Sequence, residues 1–189
     1  MEITIASPNG GEAPLDPSSV EASKSDEASQ AFLKNKESLW KNTHKLSDFV
    51  GKASDFDAIF YVGGHGPMFD LATDSTSQKV INEFWTAGKV VSAVCHGPAA
   101  LVNVKLSDGS YLIQGKEVTG FSNAEEDQAG LSKEMPFLLE TGLETNGGKF
   151  VKAAQPWGEK VCVAGNLITG QNPASASGVG QAIKTAIKA

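Results

Sequence analysis

Short apolar runs rich in β-branched residues alternate along this chain with stretches whose apolar positions recur at helical spacing. Ile3 to Ala6 reads as a strand ending at Ser7-Pro8-Asn9-Gly10-Gly11, a strong turn signal. Residues 12–30, rich in Ser, Pro, Glu and Ala, read as an excursion across the surface. From Ala31 to Phe49 the apolar set Phe32, Leu33, Leu39, Trp40, Leu46 and Phe49 falls at helical spacing, which places His44 on an exposed helix.

The clearest strand is Asp57 to Val62, which runs straight into Gly63-Gly64-His65-Gly66. Ser75 to Ala87 is a helix closed by Gly88. Val90 to Val94 is a buried strand followed at once by Cys95-His96-Gly97-Pro98 and an alanine-rich helix start. Short strands broken by Gly115 fill residues 111–121, and a helical stretch covers about 123–141. Two further β runs, Phe150 to Ala154 and Val161 to Thr169, precede a last helix from Ala174 to Ile187. This rhythm predicts right-handed βαβ units in one domain spanning residues 1–189. The fold class is α/β, flavodoxin-like, with a mainly parallel sheet sandwiched by helices. Functional groups in such sheets collect beyond the carboxyl ends of the strands. The loops at 7–11, 63–66 and 95–98 therefore carry the expected chemistry.

Composition narrows the partners rather than the fold. With 16 basic and 22 acidic side chains the formal net charge is −6, which argues against nucleic acid or an anionic membrane as partner. No apolar stretch approaches the ~20 residues of a membrane span, and the first residues have neither the charged nor the apolar region of a signal peptide. Only Cys95 and Cys162 are present. A chain of this kind needs no disulfide, so free thiols and a cytoplasmic location, with the nucleus as an alternative, are expected.

The two cysteines differ in context. Cys162 lies inside the alternating run Val161 to Ala164 and reads as core. Cys95 stands where a strand turns abruptly into a helix, the position of a nucleophile elbow. The positive end of the following helix is expected to stabilise the thiolate and lower its pKa. Gly97 allows the tight turn, Pro98 suits a first helical turn, and His96 is placed to take or give a proton.

Gly63, Gly64 and Gly66 around His65 let backbone N–H groups face a substrate, as in an oxyanion hole, although a glycine-rich loop alone is a weak signal. The spacing is not that of a nucleotide site, and no cofactor is expected. Three histidines without HxxxH or CxxC spacing predict no metal centre; His65 with carboxylates is the one arrangement left open. A thiol–imidazole pair usually has a third group that orients the histidine, and Glu125, Glu126 and Asp127 follow the strand expected beside Cys95. A charge run of this kind is more often a solvated face.

Ala93-Val-Cys-His-Gly-Pro-Ala99 with Gly63-Gly64-His65-Gly66 resembles the ThiJ/PfpI superfamily, relatives of the class I glutamine amidotransferases. Ile5 to Gly11, Gly115 to Phe121 and Thr169-Gly-Gln-Asn-Pro-Ala-Ser-Ala176 resemble, more narrowly, the fungal glutathione-independent glyoxalase III group, which includes heat-shock chaperones. The resemblance implies a lyase that converts methylglyoxal to D-lactate without glutathione or metal, working as a homodimer on a small 2-oxoaldehyde. It carries the nucleophile onto Cys95, its histidine onto His96 and the acid onto Glu126. It also implies a first strand and a glutamate-bearing helix that this chain, starting at what looks like the second strand, is expected to lack. Two alternatives share the same thiol: a holdase acting on unfolded client proteins with little turnover, and a cysteine hydrolase. D-lactate formation, suppression of client aggregation and an acyl-enzyme burst tell the three apart.

Overall fold

The computed structural model describes residues 2–188, and the chain divides into two compact units, Met1–Phe49 and Val50–Ala189. In the first unit β1 (Ala6–Ser7) pairs in parallel with β2 (His44–Lys45), a shorter β1 than the apolar run suggests. Between them lie α1 (Pro17–Ala22), α2 (Glu27–Asn35) and α3 (Glu37–Lys41).

Residues 12–30 lie at the surface as expected, with nothing in α1 or α2 buried, but they are largely helical. Asp16 accepts a hydrogen bond from the Ser18 N–H and Asp26 from the Ala28 and Ser29 N–H groups, so each aspartate caps a helix in a segment whose serines and prolines look like loop. The helical pattern of 31–49 also breaks. Lys36 leaves helical geometry at φ −127°, and the chain turns extended at β2, which places His44 on a strand.

In the second unit β3 (Ala58–Tyr61), β4 (Val90–Val94), β7 (Val161–Ala164) and β8 (Leu167–Gly170) form one sheet in the order β3-β4-β8-β7. β3, β4 and β8 run parallel; β7 is antiparallel to β8. The single β run expected over 161–169 is thus a hairpin, turned at Gly165 with φ +63°. A separate parallel pair joins β5 (Glu117–Val118) to β6 (Lys149–Phe150).

All five residues of β4 are buried, which makes it the centre of the core. Val90 and Val94 pack with Ile168 of β8 against Val179 and Ile183 of α9 (Ala176–Ala186). The amphipathic α5 (Ser75–Thr86) buries Val80, Ile81 and Phe84 and packs on β3 and β4. Tyr61 Oη meets Ser77 Oγ at 2.8 Å and ties β3 to that helix. α5 ends through Ala87 and a left-handed Gly88, as expected.

The helical stretch expected over 123–141 is two pieces, α7 (Asn123–Ala129) and α8 (Leu139–Thr145). Gly130, at φ +75°, ends the first. α4 (Gly66–Phe69) and α6 (Ala99–Val102) are single turns after the glycine loop and the cysteine turn. Among the described residues no helix is long and apolar enough to cross a membrane.

Candidate active site

Three chain segments meet beyond the carboxyl ends of β3 and β4. β4 delivers Cys95 at φ +61°, a left-handed conformation that costs an L-residue about 1–2 kcal/mol. Two things hold it there: the Cys95 N–H donates to Gly170 O at 3.0 Å, and its carbonyl accepts from the Phe121 N–H at 2.9 Å. β8 and the irregular segment after β5 thus both hold the elbow.

The glycines are required by proximity. A Cβ on Gly63 would stand 2.5 Å from Cys95 Cβ, and one on Gly97 would stand 2.3 Å from Tyr61 O. Gly64 adopts φ +80°, and its N–H, with that of His96, donates to the Cys95 sulfur. The Gly64 N–H, expected to face a substrate oxygen, is thus turned to the thiol.

His96 is wholly buried, and its Nδ1 lies 3.5 Å from Cys95 Sγ while its Nε2 lies 2.6 Å from Glu126 Oε2. The second Glu126 oxygen, Oε1, is 2.9 Å from His65 Nε2. One buried carboxylate therefore joins two imidazoles. The His96 ring packs against those of His65 and Phe121, with centroids at 4.0 and 4.3 Å, and Trp157 meets Phe121 edge-on at 5.4 Å.

Burial governs the protonation states. It pushes the Cys95 thiol up to about 11, and the Glu125 and Glu126 charges add to this; the Gly64 and His96 N–H groups pull the other way and lose. The expected low-pKa thiolate is thus corrected. α6 is only one turn long, and its partial charge does not offset desolvation. Burial likewise holds His96 below its ordinary value, even though the Glu126 hydrogen bond favours the charged ring. The resting pair is a neutral thiol beside a neutral imidazole.

The residues read from sequence as a site (Cys95, His96, Glu126, Gly63, Gly64, His65 and Gly97) are brought together. Cys162 is buried in β7. Ligand atoms of His65, His96 and Glu126 all lie within 4.8 Å of one another, a set chemically able to hold a metal ion, but each atom is already another's hydrogen-bond partner. A surface cavity of about 950 Å³ along α5, lined by Ser75, Lys79, Glu83 and Lys105 among others, includes none of these residues. Sequence reasoning missed Phe121, Trp157, Gln171 and Asn172, and read Glu125 only as part of a charge run. The available signal was the Ser122-x-x-Glu125 capping box, both of whose hydrogen bonds are present.

A strand-end cysteine in strained backbone, backed by an imidazole and a buried carboxylate on a mainly parallel sheet, defines an α/β protein of the nucleophile-elbow class. Within that class, the DJ-1/PfpI family profile matches residues 42–185, and the chain belongs to this family. The glutathione-independent glyoxalase hsp3102 of Schizosaccharomyces pombe is 35% identical over 99% of this chain and 81% of its own length. HSP31 of Saccharomyces cerevisiae, also named a glutathione-independent glyoxalase, is 34% identical over 66% of this chain, and the match spans 54% of that relative. The crystal structure of glyoxalase III from Candida albicans superposes with a TM-score of 0.88 at 31% identity, covering 98% of this chain and 80% of that one.

Proposed function

We infer that the chain is a glutathione-independent glyoxalase that converts methylglyoxal or a similarly small 2-oxoaldehyde to the 2-hydroxy acid, D-lactate in the case of methylglyoxal. The observation that carries this reading is the Cys95–His96–Glu126 relay at 3.5 and 2.6 Å, placed at a strained strand end. His96 keeps a proton on Nε2, donated to Glu126, so its Nδ1 lone pair faces the thiol.

The thiol proton passes to His96 as Sγ attacks the aldehyde carbon. The carbonyl electrons go to oxygen, which is protonated to give a hemithioacetal. The same base removes the hydrogen on that carbon, the electrons form an enediol, and reprotonation at the neighbouring carbon leaves a thioester. Water then cleaves the thioester, releasing the acid and restoring the thiol; the net change is addition of one water. His65, bonded to the same carboxylate and 31% exposed, lies on the accessible side of the pair, where the oxygen of an incoming substrate is held. Separation of thiolate and imidazolium, unfavourable at rest, is driven by bond formation to substrate.

With this activity we propose a homodimer, which rests on the family resemblance alone, and a cytoplasmic or nuclear location, with which two free cysteines agree. Native mass spectrometry tests the dimer. The activity is tested by enzymatic assay of D-lactate from methylglyoxal without glutathione. Wild type should form it and Cys95→Ala should not; equal output from both would overturn the assignment.

A further inference from the structure

Glu125 sits one residue before Glu126 and points elsewhere. Consecutive helix residues are turned by about 100°, so as Glu126 faces the two histidines, Glu125 faces the loops behind them. It is wholly buried. Its Oε2 accepts the Ser122 N–H and Oγ–H at 2.9 and 2.7 Å. Its Oε1 accepts the Trp157 N–H at 2.8 Å, the Gln171 amide at 2.9 Å and the Asn172 amide at 2.8 Å. These contacts join the start of α7 to two loops that are distant in sequence.

We propose that Glu125 is a positioning residue of the site, holding the Glu126 carboxylate and the Phe121–Trp157 pair against His96. This rests on the Cys95–His96–Glu126 reading and adds a residue that touches no reacting atom. Two routes lead from Glu125 to the imidazole. In the first, Ser122, which caps α7 through Glu125, also receives the Glu126 N–H on its carbonyl at 2.9 Å, which fixes where the Glu126 side chain leaves the helix. In the second, the bond to the Trp157 N–H helps hold that residue at φ +66°, a conformation an L-residue adopts only when its surroundings impose it. Trp157 in turn meets Phe121, the ring stacked on His96.

A second buried negative charge near the thiol also has an electrical effect that packing alone does not. The charged groups bearing on the Cys95 sulfur are Glu125 and Glu126, and His96, joined to His65 through Glu126, is the neighbouring base. Removing one carboxylate charge favours the thiolate.

The test is Glu125→Gln in the full chain, read in three ways: kcat and KM for D-lactate formation, the pH profile of Cys95 alkylation by iodoacetamide, and the thermal midpoint. kcat should fall between about tenfold and a hundredfold with KM little changed, the range produced by a displacement of order 1 Å. The alkylation midpoint should move to lower pH. Asn172→Ala, which removes one donor and keeps the charge, should lower kcat less and leave the alkylation midpoint in place. A folded Glu125→Gln with kcat within about twofold of wild type and an unmoved midpoint overturns the proposal. So does a loss of kcat that only tracks the folded fraction at an unmoved midpoint. If Glu125→Gln does not fold, unchanged kcat in folded Asn172→Ala and Gln171→Leu overturns it instead. A wild type that forms no D-lactate refutes the glyoxalase reading, while the alkylation comparison still decides the role of Glu125.

Discussion

His96 Nε2 and Glu126 Oε2 stand 2.6 Å apart, both atoms in buried side chains and 30 residues apart in the chain. This contact fixes the tautomer of His96, because an imidazole that donates from Nε2 presents a lone pair at Nδ1, where Cys95 lies. Glu126→Gln keeps the shape and removes the charge that supports an imidazolium. kcat for D-lactate formation should fall by about a hundredfold or more, while the thermal midpoint moves little. Steady-state kinetics beside a melting curve check both halves.

The thiol is expected to titrate high. Burial and two nearby carboxylates raise Cys95 to about 11, so the iodoacetamide rate should keep climbing past pH 9, reach half its plateau near pH 11 and level off only above that. Because the folded value lies above the ordinary thiol value of 9.0, the linked stability is fully present below about pH 9 and is lost as pH rises toward 11. On the acid side, His96 lies below its ordinary 6.5, so it remains a neutral base at pH 6.5. Activity should fall only at lower pH. A pH–rate profile and alkylation kinetics measure these limits.

Cys95 holds a left-handed backbone that glycine adopts without strain. Cys95→Gly should therefore be more stable than Cys95→Ala by about 1 kcal/mol, although both are inactive. Denaturant unfolding of the two variants tests this; equal midpoints would show that the elbow carries no strain.

The turn after the cysteine has no room for a methyl group. Gly97→Ala would drive a Cβ to 2.3 Å from the Tyr61 carbonyl, forcing β3 and β4 apart. A loss of about 2 kcal/mol or more is expected, together with loss of alkylation selectivity at Cys95. Gly109→Ala is the comparison: it has open space around it but a positive φ of 83°, so its smaller cost measures backbone strain without a clash.

How much of this is legible in the sequence depends on how local the determinant is. Val90 to Val94, the Gly88 cap and the Cys95-His96-Gly97 turn are written in consecutive residues, and they appear where the pattern places them. Glu126 looks from spacing alone like one acid in an exposed run; only the resemblance singles it out. What separates it from Glu125 is helical rotation combined with the placement of loops around 157 and 171, a long-range fact. The direction of the Cys95 shift is hidden for a related reason. A helix start is visible in sequence, whereas the burial that outweighs it depends on the segments folded around the sulfur. The helices over 17–35 are obscured by serine-rich composition, although Asp16-Pro17 and Asp26-Glu27 carry cap signals.

The glycine loop also indicates where this catalyst tolerates redesign. Gly63 is interlocked with the cysteine and Gly64 has left-handed geometry, so neither accepts a side chain without disturbing the thiol. Gly66 has ordinary backbone and open space where a methyl group would stand. Libraries that vary this loop should diversify residue 66 and spare Gly63 and Gly64, for there a new side chain meets open space and leaves the packing around the thiol untouched.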